Sequence, residues 1–207
     1  MCELSSDELW LVIRLYAFAL SPVFLGLYYL ITKNISYDTA VILCLTFFIC
    51  AAGFEIWLTY GLFDGLPVNQ RRSDALNCAI PQDFNWVLNS LGDVFIVWIG
   101  LFIIKKIFNK TIDPLKKWNW SVFLILLIWF VAQNIYVEAF IYHLQLGSSG
   151  DLSWGPLMPL GSYFNPTLFE ILGRPVTFQS QSTWLLMTPI IYFLAIYLNN
   201  KNTNSNV

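Results

Sequence analysis

The chain has 207 residues, 57% hydrophobic and 12% charged, with nine Trp and a formal net charge of −2; its mean hydropathy is +0.61. A soluble domain carries nearer a quarter of charged residues, so the composition excludes one and predicts an all-α, polytopic transmembrane helix bundle, a single integral membrane domain over 1–207. The near-neutral charge gives no footprint for a nucleic-acid partner. One histidine (His143) and four cysteines without ligand spacing argue against a metal centre. No glycine-rich phosphate loop or other cofactor motif is present.

A helix needs about 20 apolar residues to cross the hydrocarbon, and five segments meet or approach that length. The first runs over 7–32, opened by "SSDE", where Ser5 and Glu8 have capping-box spacing. The second runs over 39–63 after Asp38. The third, 85–106, follows "IPQDF", with Asp83 as the expected cap. The fourth, 119–144, opens at Asn119, and the fifth, 182–198, at Ser182. A short helix is expected near Pro166–Leu172, where "NPTLFEIL" offers Asn165 as cap and proline at the first helical position. It is too short to count as a sixth span.

Lys33, Lys105, Lys106, Lys110, Lys116, Lys117 and Lys201 fall on one side of these spans, and Arg71, Arg72 and Arg174 on the other. The imbalance predicts an outside N-terminus and a cytoplasmic C-terminus. The acidic start "MCELSSDE" lacks the basic region of a cleaved signal peptide, so the first span is expected to be retained. Bacterial inner membrane and endoplasmic reticulum fit equally. Both long connections, 64–84 and 145–181, fall outside and are either lids, re-entrant segments or plain links. Cys2 and Cys78 share that side and are either a disulfide or two free thiols. Cys44 and Cys50 read as small core residues. The sequons at Asn34, Asn109 and Asn119 face inward and are expected to carry no glycan.

Four ionisable residues on four spans share one level. At 1.5 Å per residue, Glu55 and Asp93 lie about 12 Å below the outer end, Arg14 about 10 Å and Glu138 about 9 Å. Asn85, Asn89 and Asp93 recur every fourth residue and form a polar stripe, as do Asn134, Glu138 and Tyr142, with Gln133 beside them. Thr59 and Tyr60 follow Glu55 by one turn, and Thr188 lies near the same depth ahead of Pro189. A charge facing lipid at the bilayer centre costs about 3 kcal/mol on insertion scales, so these groups are expected to point inward into one polar pocket. Trp57, Trp86, Trp98 and Trp129 are candidate lining residues, or aromatics of the interfacial belt.

The plainest role of such a network is helix association, each contact contributing about 0.6 kcal/mol. The chemical role uses Glu55, Asp93 and Glu138 as catalytic acids and bases, with Arg14, Asn89, Asn134, Tyr60 and Trp57 binding the substrate. A carboxyl in its acid form protonates an epoxide or alkene, aromatic faces stabilise the carbocation, and a carboxylate recovers the proton. Such cyclisation or isomerisation of a lipid-soluble, isoprenoid-like substrate needs no cofactor. The alternatives are a small-molecule or proton-coupled transporter, and a ligand-binding or assembly subunit. The expected partners are the bilayer, a small hydrophobic substrate, and a homo-oligomer or membrane complex.

Two stretches, "FEIWLTY" around Glu55 and "NWVLNSLGDVFIV" around Asp93, resemble the membrane-integral terpene cyclases of meroterpenoid pathways, which carry a "WE" element on one helix and a "W…LD…IV" pattern on the next. The resemblance covers about 40 residues and implies proton-initiated cyclisation by these two acids. The chain departs from that pattern in having five expected spans against seven. It also has Phe54 before the glutamate and no acid in its last span.

Overall fold

The computed structural model describes residues 2–32, 37–62, 66–108, 112–141, 144 and 166–205, with backbone alone at 37 and 202–205. Lys33, Asn34, Asn109, Lys110, Tyr142, His143 and the stretch 145–165, including the expected cap Asn165, lie outside the described residues. Five helices are long and apolar enough to cross a membrane: Ser6–Thr32, Asp38–Tyr60, Gln82–Phe108, Trp120–Phe140 and Phe178–Lys201.

Helix α1 (Ser6–Thr32) opens on the expected reciprocal cap. The Ser5 N–H donates to Glu8 Oε2 at 2.8 Å and the Glu8 N–H to Ser5 Oγ at 3.4 Å. The second long helix is three pieces on one axis: α2 (Tyr37–Cys50), a π-helical turn (Ala51–Glu55) and α3 (Ile56–Tyr60). After it come two short helices, α4 (Val68–Arg71) and α5 (Asp74–Ala79), and then α6 (Gln82–Phe108). Asp83 is not the cap of α6. It sits in the first turn, and its carboxylate accepts from the Tyr60 hydroxyl at 2.9 Å. Helix α7 (Trp120–Phe140) is capped as expected: Asn119 Oδ1 accepts from the N–H groups of Ser121 and Val122. The chain closes with strands β1 (Thr167–Ile171) and β2 (Arg174–Thr177) and helix α8 (Phe178–Ser205).

The helix expected over Pro166–Leu172 is therefore a strand. Thr167, Phe169 and Ile171 are β-formers, and Leu172 and Gly173 close a two-residue hairpin loop with φ of 52° and 73°. Positive φ at both loop residues matches the right-handed twist of paired strands. Helix α8 continues straight out of β2, four residues before the expected start at Ser182, so the polar run Gln179-Ser180-Gln181 is helical.

Helices α2–α3, α6, α7 and α8 form a ring in that order, closed by contact of α2 with α8, and α1 lies outside the ring along α6. We call the two ends of the bundle the disulfide end and the lysine end. Cys2 and Cys78 are joined by a disulfide with Cα atoms 5.7 Å apart. At the same end the Tyr16 hydroxyl donates to Ala79 O, and Ser73 donates to Glu8. The 66–81 part of the expected outer connection is thus folded, with two short helices. Arg72 holds it, donating to Asn77, to Asn85 Oδ1 at 3.0 Å and to Ile80 O. Toward the lysine end the ring is apolar, with Val97, Leu101, Ile104, Val122, Leu126, Phe130, Ile191 and Ala195 in one buried cluster. The outer faces are apolar too: Ile31 is 82% exposed, Ile128 66% and Phe102 63%.

Small residues let helices approach closely, and Gly100 does so here. A Cβ at Gly100 would stand 3.0 Å from Phe130 Cε1 and 3.1 Å from Trp129 Cδ1. Gly100→Val should destabilise the fold by about 1–3 kcal/mol through overpacking, read as a lowered melting temperature of the purified protein in detergent. A melt unchanged from the parent would contradict this packing.

Candidate functional site

Two hydrogen-bonded rungs and one further side-chain contact join the second long helix to α6, one per turn. The Asn85 amide donates to Thr59 Oγ1 at 3.1 Å, and the Asn89 amide donates to Glu55 Oε2 at 2.8 Å. The Cys50 side chain lies beside the Asp93 carboxyl. All six residues are buried. Glu55 ends the π-helical turn. There the Ile56 N–H reaches back to Ala51 O instead of Ala52 O, and the Trp57 indole takes the released Ala52 carbonyl at 2.7 Å. Single-turn π segments occur often at functional sites.

A second seam joins α7 to the start of α8. Glu138 accepts from the Thr177 N–H at 2.9 Å, the Thr177 hydroxyl at 2.7 Å and Gln181 Nε2 at 2.8 Å. The Asn134 amide donates to Ser180 O at 2.9 Å. Between the seams lies a cavity of about 70 Å³, lined by Glu55, Asp93, Gln133, Asn134, Glu138 and Ser180 among others. On the far side of Glu55 and Asp93 a second cavity of about 420 Å³ opens between α1, α6 and α7. Arg14, Leu15, Phe18, Asn89, Trp129 and Tyr136 are among its walls. Glu55 and Asp93 line both cavities, and Asp93 Oδ2 is buried without a hydrogen-bond partner among the described residues.

Of the residues singled out from the sequence, Arg14, Glu55, Asn89, Asp93, Asn134 and Glu138 thus gather around two adjoining cavities. Two do not: Trp57 is held against its own helix, and Tyr60 is exposed and bonded to Asp83. Trp129 lines the larger cavity and donates to Ile96 O, whereas Trp86 stacks on Phe47 and Trp98 on Tyr29. Thr188 is buried in α8, donating to Trp184 O. Cys50, Thr177, Ser180 and Gln181 were not foreseen. The signal for the last three was the polar run "TFQSQS", read as connection rather than as the first turns of a helix.

Among the described residues no group of three or more His, Cys, Asp and Glu side chains is placed to hold a metal. No protein-family model, curated protein or solved structure matches this chain.

Glu138, carrying three donors in a buried position, is an anchor of the β2–α8 junction. Glu138→Gln puts an amide N–H₂ against donors on Thr177 and Gln181. It should destabilise the protein by about 1–3 kcal/mol, seen as a melting temperature below the parent's in detergent. Equal melts would mean that the carboxylate is dispensable to the junction.

Proposed function

We propose that the chain is a multi-pass integral membrane enzyme that performs cofactor-independent acid–base chemistry on a lipid-soluble, isoprenoid-like substrate, with Glu55 and Asp93 as its catalytic pair. Embedding is supported by the five apolar helices and by their exposed aliphatic faces, which water would not tolerate at this extent. The disulfide end faces the oxidising, non-cytoplasmic side, where such a bond persists. The excess of lysine at the opposite end favours the same orientation.

One observation carries the chemistry: two buried carboxyl groups stand between a small cavity of mixed lining, shared with Gln133, Asn134 and Glu138, and a largely apolar one of about 420 Å³. That volume lies within the range of about 300–1,000 Å³ typical of small-molecule sites. Asp93 is the proton donor in this reading, because its second oxygen has no donor to satisfy it. Its proton adds to a substrate alkene carbon, where the π pair becomes the new C–H bond and the neighbouring carbon is left cationic, or to an epoxide oxygen, where a lone pair takes the proton and the C–O pair leaves with oxygen to give a hydroxyl and a carbocation. Trp129 offers an aromatic face to the positive charge. Glu55, oriented by Asn89, removes a proton from the carbon beside the cation, and the C–H pair becomes the new double bond. The product is an isomer or cyclised form of the substrate with the same proton count, and the proton left on Glu55 returns to Asp93 across the smaller cavity that both line before the next turnover. Glu138, bonded to Thr177 and Gln181, stays outside the transfer.

Lipid extracts from cells with and without the gene, compared by mass spectrometry, should differ in one isoprenoid-like product. Glu55→Gln and Asp93→Asn should each reduce that product about 100-fold or more, with the protein still folded in detergent. Full product from both variants would remove the acid–base pair from the mechanism. Identical extracts in the first comparison would turn the reading toward transport or complex assembly.

A further inference from the structure

The larger cavity has one positively charged wall. Arg14 sits on α1 at the level of Glu55 and Asp93, half-buried, facing walls that are otherwise largely apolar, among them Leu15, Phe18, Ile96 and Val137. Its guanidinium lies 6.0 Å from the ring of Trp10, on its own helix. Among the described residues it has no ion pair or hydrogen bond, although two acids line the same cavity. Glu55 is engaged by Asn89 and Asp93 by Cys50. An arginine within a bilayer is expensive unless something answers its charge, and a guanidinium answers carboxylate and phosphate groups best.

We propose that this cavity binds a single-chain amphiphile with an anionic carboxylate or phosphate head, the head on Arg14 and the chain against the α6 and α7 walls. The proposal rests on the membrane reading above and names the substrate class of that same site, but it does not depend on the reaction assigned there. Charge complementarity selects the head. The apolar walls, with Gly92 leaving open space on α6, select the chain. An anion bound at Arg14 stands beside two carboxyl groups, so the head must be held by the arginine and the chain must lead the reacting carbons past the acids.

The test uses purified protein in phosphatidylcholine nanodiscs, titrated with radiolabelled hexadecanoate, hexadecyl phosphate and hexadecanol, with empty nanodiscs as background. The two anions should bind at least ~10-fold more tightly than the alcohol, the scale of one charge-assisted contact. Arg14→Gln should abolish that preference, Arg14→Lys should keep part of it, and a Glu55→Gln/Asp93→Asn double variant should keep it in full. Loss of catalysis with retained anion preference therefore separates this site from the proposed reaction. Displacement of hexadecanoate by added lysophosphatidylglycerol would identify a single-chain bilayer lipid as the source of the head group. Equal binding of anion and alcohol, or a preference that survives in Arg14→Gln, would overturn the proposal. So would displacement by inorganic phosphate alone at the same concentration, since a bare anion site has no need of the chain.

Discussion

The 2.8 Å contact from Asn89 to Glu55 fixes how the bundle is assembled around its site. A buried carboxyl group without a partner is expensive, and an acyl chain offers none, so Glu55 must meet a donor on a neighbouring helix. The apolar half of the ring sets no such condition. Val97, Leu101 and Leu126 would fill space after a small slide of one helix along another. The polar half would not, because a slide of one turn breaks the Asn85–Thr59, Asn89–Glu55 and Asp93–Cys50 rungs together. Register is thus set near the disulfide end, and the apolar core toward the lysine end supplies bulk.

The π-helical turn follows from the same ladder. On α6 the rungs fall at 85, 89 and 93, four residues apart. On the antiparallel partner they fall at 59, 55 and 50, with spacings of four and then five. A uniform α-helix would place Ala51, not Cys50, opposite Asp93. The extra residue between Ala51 and Glu55 restores the match. It also leaves a carbonyl at Ala52 that Trp57 satisfies from the same helix. Trp57 therefore stays with its own backbone, away from both cavities.

This accounts for what the sequence could and could not disclose. Five long helices were legible because apolar length is a one-dimensional property. The gathering of Arg14, Glu55, Asp93 and Glu138 at one level was legible because depth follows from counting along a helix. The Asn85–Asn89–Asp93 stripe showed which face of α6 turns inward. Azimuth on the second long helix was not legible, since a π turn rotates everything beyond it and has no marker in "CAAGFE". Tyr60 was expected inside for a different reason, its adjacency to Thr59; five residues past Glu55 on a regular helix it lies about 140° around the axis from it, and it is found outside. The helix predicted over Pro166–Leu172 rested on a cap and a first-turn proline. Pairing with Arg174–Thr177 outweighed both, a tertiary preference that single-segment signals do not carry. Glu138 lines the smaller cavity with Glu55 and Asp93, but its three donor groups come from residues read as a loop, so its anchoring role was hidden.

The position of α1 decides what the site is open to. The ring of α2–α3, α6, α7 and α8 is complete without it, and α1 lies along α6, with Phe18 on Phe95 and Tyr29 against Trp98. It is tied at the disulfide end through Cys2–Cys78, Glu8 and Tyr16. This attachment leaves a gap between α1 and α7, and the larger cavity is that gap. Were α1 part of the ring, Glu55 and Asp93 would face only the cavity of about 70 Å³, room for a few waters but not for a substrate. With α1 outside it, the carboxyl groups that hold the ring together also border an apolar space whose outer wall is the least buried of the five long helices. The contacts of the two acids do not involve α1: Asn89 donates to Glu55, and Cys50 lies beside Asp93.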